Sequence, residues 1–93
     1  MDKATPVIVA VETPAYKCVV IEASDGYRYT ADLSFFSGVY CYPKDMGEWQ
    51  RVFIDKDGLS LVWSTRFEVH VDQVLANVVK RQPVSFFCED TPA

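Results

Sequence analysis

His70 is the only histidine in the chain, and Glu68 stands two residues before it, on the same side of a strand. Acid–base or nucleophilic chemistry would need a third partner within hydrogen-bond reach. The sequence offers no nucleophile beside them, so an exposed polar residue at a strand–helix junction is the simpler reading of His70. Cys18, Cys41, Cys88 and His70 are four ligand types that zinc accepts. Structural zinc sites use close pairs of the Cys-x-x-Cys kind, and these thiols are far apart, as buried free cysteines are. Asp55-Lys56-Asp57-Gly58 looks like the opening of a calcium loop, but Leu59-Ser60-Leu61-Val62 follows where further oxygen ligands and a closing Glu belong. A hairpin turn explains both aspartates. No catalytic residue, metal or cofactor is therefore expected.

The aromatic residues carry more information. Phe35, Phe36, Tyr40, Tyr42 and Trp49 crowd one irregular segment, and Phe86-Phe87 follow near the end. With two Trp, five Tyr and six Phe in 93 residues, a small core leaves some rings for the surface. Tyr and Trp are the types most enriched at binding hot spots. The opposing reading is a long loop packed on its own rings as a satellite core. Stacking of single-stranded nucleic acid is disfavoured, because only Lys44 and Arg51 lie among these rings.

Composition bounds the class. Apolar residues make up 49% and charged ones 24%, the balance of a globular chain. A net charge of −4 argues against a sequence-independent grip on DNA or RNA. No apolar run approaches the ~20 residues that span a bilayer, and no basic start precedes an apolar stretch. Three widely spaced cysteines suit reduced thiols, so the cytoplasm is the expected compartment.

The elements that position these residues follow from periodicity. Pro6–Glu12 reads as a strand buried on both faces and ended by Thr13-Pro14. Tyr16–Ala23 is a second strand. Ser24-Asp25-Gly26 is a turn, and in Tyr27–Leu33 the residues Tyr27, Tyr29, Ala31 and Leu33 share a face. Asp32 or Ser34 caps a short helical turn through Phe35-Phe36 that Gly38 stops; Val39–Pro43 is extended and Lys44–Gly47 a loop. Arg51–Trp63 is a β-hairpin about Asp57-Gly58, with Val52, Ile54, Leu59, Leu61 and Trp63 inward. Phe67–His70 is a short strand. Val71, Val74, Leu75, Val78 and Val79 then trace one face of an amphipathic helix, with Lys80-Arg81 in its last turn and Pro83 beyond.

Taken together, Asp25-Gly26, Ala31-Asp32-Leu33-Ser34, Arg51-Val52-Phe53-Ile54-Asp55 through Gly58, and Leu61-Val62-Trp63 before a short strand and helix resemble a bacterial family. It is the one catalogued as domain of unknown function 2442, and the resemblance covers residues 7–79. It implies a small α+β protein; some members stand alone, others precede a helix-turn-helix domain, and several look like the antitoxin half of toxin–antitoxin pairs. The family has no established catalytic residues to carry over. This chain departs from the pattern at Ser64-Thr65-Arg66, where a Pro-Asn-Gly type turn is usual, and at His70, where the family usually places a capping Asp. A neutral histidine is the poorer cap.

The expected architecture is α+β: an antiparallel β-meander and hairpin sheet with one C-terminal amphipathic helix packed on it. Residues 1–83 form the domain, and 84–93 a segment that packs back or pairs with another chain, frayed at its end. The expected function is a non-catalytic protein–protein interaction module, antitoxin-like by resemblance, with Phe35, Phe36, Tyr40, Tyr42 and Trp49 as its binding surface and a basic, toxin-like protein as its partner. One alternative is a small-ligand binder or minor enzyme with a pocket near His70 and Glu68. Another is a homodimer paired through Val84–Cys88. Neither a membrane nor direct nucleic-acid contact is expected.

Overall fold

The computed structural model describes residues 5–84. Strands β1 (Ile8–Ala15), β2 (Cys18–Ala23) and β3 (Tyr27–Asp32) form an antiparallel meander, which β7 (Val78–Pro83) extends beyond β3. A second antiparallel sheet holds β4 (Phe53–Ile54), β5 (Ser60–Val62) and β6 (Glu68–His70). Two short helices, α1 (Met46–Trp49) and α2 (Val71–Ala76), complete an α+β arrangement dominated by antiparallel sheet. Pairing of Val19 with Ala31 and of Ile21 with Tyr29 puts their side chains on one face. All four are buried in a single cluster with Leu61 and Val69 of the second sheet, Trp63 just after β5, Trp49 of α1, and Val71 and Val74 of α2.

Several local expectations are corrected. β1 does not end at Thr13-Pro14 but runs to Ala15, and it is not buried on both faces, since Val9 is exposed. β1 is an edge strand whose register shifts between Glu12 and Ala15, and such a position tolerates a residue without an N–H. Tyr16 and Lys17 form the turn before β2, with Lys17 at φ 73°. The helix expected over Val71–Val79 stops at Ala76, because Val78 and Val79 join β7, paired on β3. β-branched residues fit that ladder at least as well as another helical turn. Lys80 and Arg81 consequently lie on a strand, not at a helix end. Lys44–Gly47 is no plain loop: Asp45 Oδ1 accepts the Glu48 N–H at 2.9 Å and starts α1, while Glu48 Oε1 accepts the Lys44 N–H at 2.7 Å. Val39–Pro43 is turned, the Tyr42 N–H donating to the Val39 carbonyl at 3.0 Å. A 3₁₀ turn at Ser34–Phe36 follows an Asp32 side chain that accepts the Ser34 N–H at 2.9 Å. Of the segment expected at 84–93 only Val84 is described, its N–H donating to the Gly26 carbonyl at 2.9 Å, and the rest of that expectation lies outside the described residues.

The hairpin forms as the alternation requires, with Phe53 opposite Val62 and Ile54 opposite Leu61. Its tip is where the two sheets meet. Gly58 N–H donates to the Asp55 carbonyl at 2.8 Å, and the Gly58 carbonyl accepts the Ile8 N–H of β1 at 2.7 Å. Gly58 has φ +74°, and a Cβ there would stand 3.0 Å from Val7 Cβ, with the Ile8 backbone oxygen at 3.3 Å. Left-handed backbone and crowding against main chain act in the same direction. Gly58→Ala should cost about 2 kcal/mol, read as a lower denaturant midpoint with an unchanged slope.

Candidate interaction surface

The segment between β3 and β4 has almost no ladder of its own, and aromatic side chains hold it down. Trp49 Nε1–H donates to the Cys18 carbonyl at the start of β2, 2.9 Å away. Trp63 Nε1–H donates in turn to the Trp49 carbonyl at 2.8 Å, with the two ring centroids 4.7 Å apart. Tyr42 hydroxyl donates to the Leu33 carbonyl at 3.0 Å, and Tyr16 hydroxyl to the Pro43 carbonyl at 2.7 Å. Tyr42 also meets Phe67 edge-on at 4.9 Å.

These contacts divide the five aromatic residues that the sequence singles out. Trp49 and Tyr42 are core, at 0% and 6% exposure, and Phe36 is half-buried against Phe67. Phe35 remains 80% exposed and Tyr40 fully so, with Val39 between them in sequence also exposed. Only Phe35 and Tyr40 can therefore offer most of a ring to a partner. Beside Tyr40 lies an open groove of about 250 Å³, lined by Tyr40, Cys41, Tyr42, Lys44, Glu48 and Thr65. Thr65 Oγ1 is buried in its wall without a hydrogen-bond partner among the described residues. No pattern in the sequence marks Thr65. The Asp45-x-x-Glu48 spacing, in contrast, is a legible helix start.

The remaining chemical candidates have structural occupations. His70 is exposed and caps α2: its Nδ1 accepts the Asp72 N–H at 3.1 Å, and Gln73 Oε1 accepts the His70 N–H at 3.0 Å. The expected weak cap is a reciprocal capping box. The lone pair a general base would use is committed to backbone. Among the described residues no three His, Cys, Asp or Glu side chains gather as a metal site, and Cys88 lies outside that range. Burial, then the nearby Asp32 carboxylate, pushes the Cys18 thiol up, away from the lowered range of activated cysteines. Hydrogen bonds from Ser34 hold Asp32 below the usual carboxylate range. Arg28, on the outer face of the four-stranded sheet, bridges Glu22 at 2.9 Å and Glu12 at 3.0 Å, strapping three strands together.

Two tyrosines titrate late. Burial and the hydrogen bond to Asp25 push Tyr29 up to about 12, and burial raises Tyr42 further. No family model, curated protein or solved structure matches the chain. Among the described residues no helix is long and apolar enough to cross a membrane.

Two predictions follow from this geometry. Trp49→Ala and Tyr42→Ala should each cost about 3–5 kcal/mol in chemical denaturation, whereas Phe35→Ala and Tyr40→Ala should stay within about 0.5 kcal/mol. Raised tyrosine values stabilise the protonated folded form, so that contribution is complete below pH ~10, the unfolded tyrosine value, and is lost as pH rises through the folded values near 12 and above. Tyrosinate absorbance should show this late titration coinciding with alkaline unfolding, and Asp25→Asn should move the Tyr29 step to lower pH.

Proposed function

We propose that this protein is a non-catalytic interaction module that binds another protein through Phe35, Val39, Tyr40 and the adjoining groove. One observation carries the reading. The segment bearing these residues is anchored from beneath by Tyr16, Tyr42 and Trp49, yet it leaves Phe35 and Tyr40 outside. Apolar rings held on a fixed backbone lose little entropy on binding, which is what a contact surface needs.

A net charge of −4 suits a basic partner through long-range attraction. An antitoxin-like role, with a basic toxin as that partner, rests on the resemblance to the bacterial family. The free thiols of Cys18 and Cys41 fit the cytoplasm. In the same reading α2 serves as a small amphipathic cover, burying Val71 and Val74.

The test is a partner co-purified with the full-length chain and then titrated against variants. Phe35→Ala with Tyr40→Ala should weaken binding by about tenfold or more while thermal stability holds. Affinity should fall as salt is raised. An affinity unchanged by the double substitution would remove this surface from the interaction.

A further inference from the structure

Among the described residues β7 is paired on one side only, with β3, from Tyr27 opposite Pro83 to Ala31 opposite Val78. A strand in that position turns alternate N–H and C=O groups outward, as a template for one more strand. The opposite edge is protected. β1 carries Pro14 and two register shifts, devices that discourage strand addition. β7 has one register shift, at Val79, and its proline, Pro83, is its last residue, so the stretch between them, Lys80–Gln82, keeps regular register with every N–H present.

Charge decides what can occupy this edge. Lys80 and Arg81 are exposed and form the only adjacent basic pair in a chain of net charge −4. As successive strand residues they face opposite sides of the sheet. Arg81 is held with its guanidinium carbon 4.6 Å from the Tyr27 ring centroid, and neither cation forms an ion pair with a carboxylate among the described residues. A second copy pairing antiparallel about a two-fold axis centred here would set Lys80 against Lys80, Lys80 against Arg81, or Arg81 against Arg81. Like charges placed directly opposite oppose each such register. An extended segment with two successive acidic residues meets the opposite situation, one carboxylate for each face.

We propose that the free edge of β7 binds an extended acidic segment of another protein by strand addition, with adjacent acidic residues paired to Lys80 and Arg81. The inference does not rest on the aromatic surface.

The full-length chain should be titrated with a synthetic peptide of alternating valine and threonine carrying two adjacent glutamates at its centre, and with a twin carrying two lysines. The glutamate peptide should bind about tenfold more tightly, and amide shifts should concentrate at Lys80–Gln82. Lys80→Glu with Arg81→Glu should reverse the preference. Should the double variant fail to fold, Lys80→Glu alone should cut the preference about threefold. Equal affinity for the two peptides, binding of neither, or shifts centred on Phe35–Tyr40 would overturn the proposal. So would a concentration-dependent dimer of the unmodified chain whose amide shifts centre on Lys80–Gln82, which would give the edge to a second copy.

Discussion

The two indole N–H groups and the carbonyls they reach tie the molecule together. Trp63 stands just beyond β5 in the small sheet, Trp49 ends α1, and Cys18 opens β2 in the large sheet. The path from Trp63 to the Trp49 carbonyl, and from Trp49 to the Cys18 carbonyl, crosses all three parts in two hydrogen bonds. Each bond satisfies a donor and an acceptor at once, and an indole N–H or a backbone carbonyl left unpaired in a core carries a penalty. The rings pack on one another and on Tyr42 and Phe67, so polar pairing and apolar burial reinforce the same geometry.

That linkage explains how a long segment without a ladder stays ordered. Between β3 and β4 the chain pairs with no strand; local turn and helix bonds serve part of its backbone, and side chains tie it to the rest of the fold. Tyr16 serves the Pro43 carbonyl and Tyr42 the Leu33 carbonyl, each ring also burying its apolar body. The number of aromatic residues is thus accounted for largely by internal wiring. Of the five aromatic residues singled out in the sequence, Tyr40 and Phe35 are the ones that this wiring leaves out.

The parts legible in the sequence are those whose pattern is local. Alternation in β2 and β3 and the Asp57-Gly58 turn specify faces and register from neighbouring residues alone. What escaped it depends on who lies alongside. Val71, Val74, Leu75, Val78 and Val79 fit a helical stripe, but the open edge of β3 captures the last two, and no local pattern reports that edge. Pro14 is tolerated because β1 is an edge, which is again a fact of topology. In the candidate surface, Tyr40 and Tyr42 are chemically identical and two residues apart. Only the Leu33 carbonyl and the Trp49 and Phe67 rings, distant in sequence, decide which one turns inward.

β3 is the element on which both exposed surfaces depend. At its C-terminal end Asp32 holds the Ser34 turn, and Leu33, which follows it, receives the Tyr42 hydroxyl, so the position of Tyr40 is set from there. Along its outer side β3 pairs with β7, while the Asp32 N–H reaches the Asn77 carbonyl where α2 gives way to that strand. Arg28 ties the same strand to Glu22 and Glu12 on the outer face. A displacement of β3 would therefore shift the aromatic segment and the basic edge together. Coupling of two surfaces through one packed strand requires that strand to have two discrete arrangements. β3 is instead bonded on both sides and buried at Tyr29 and Ala31, which holds the aromatic segment and the basic edge in one fixed arrangement rather than letting them switch.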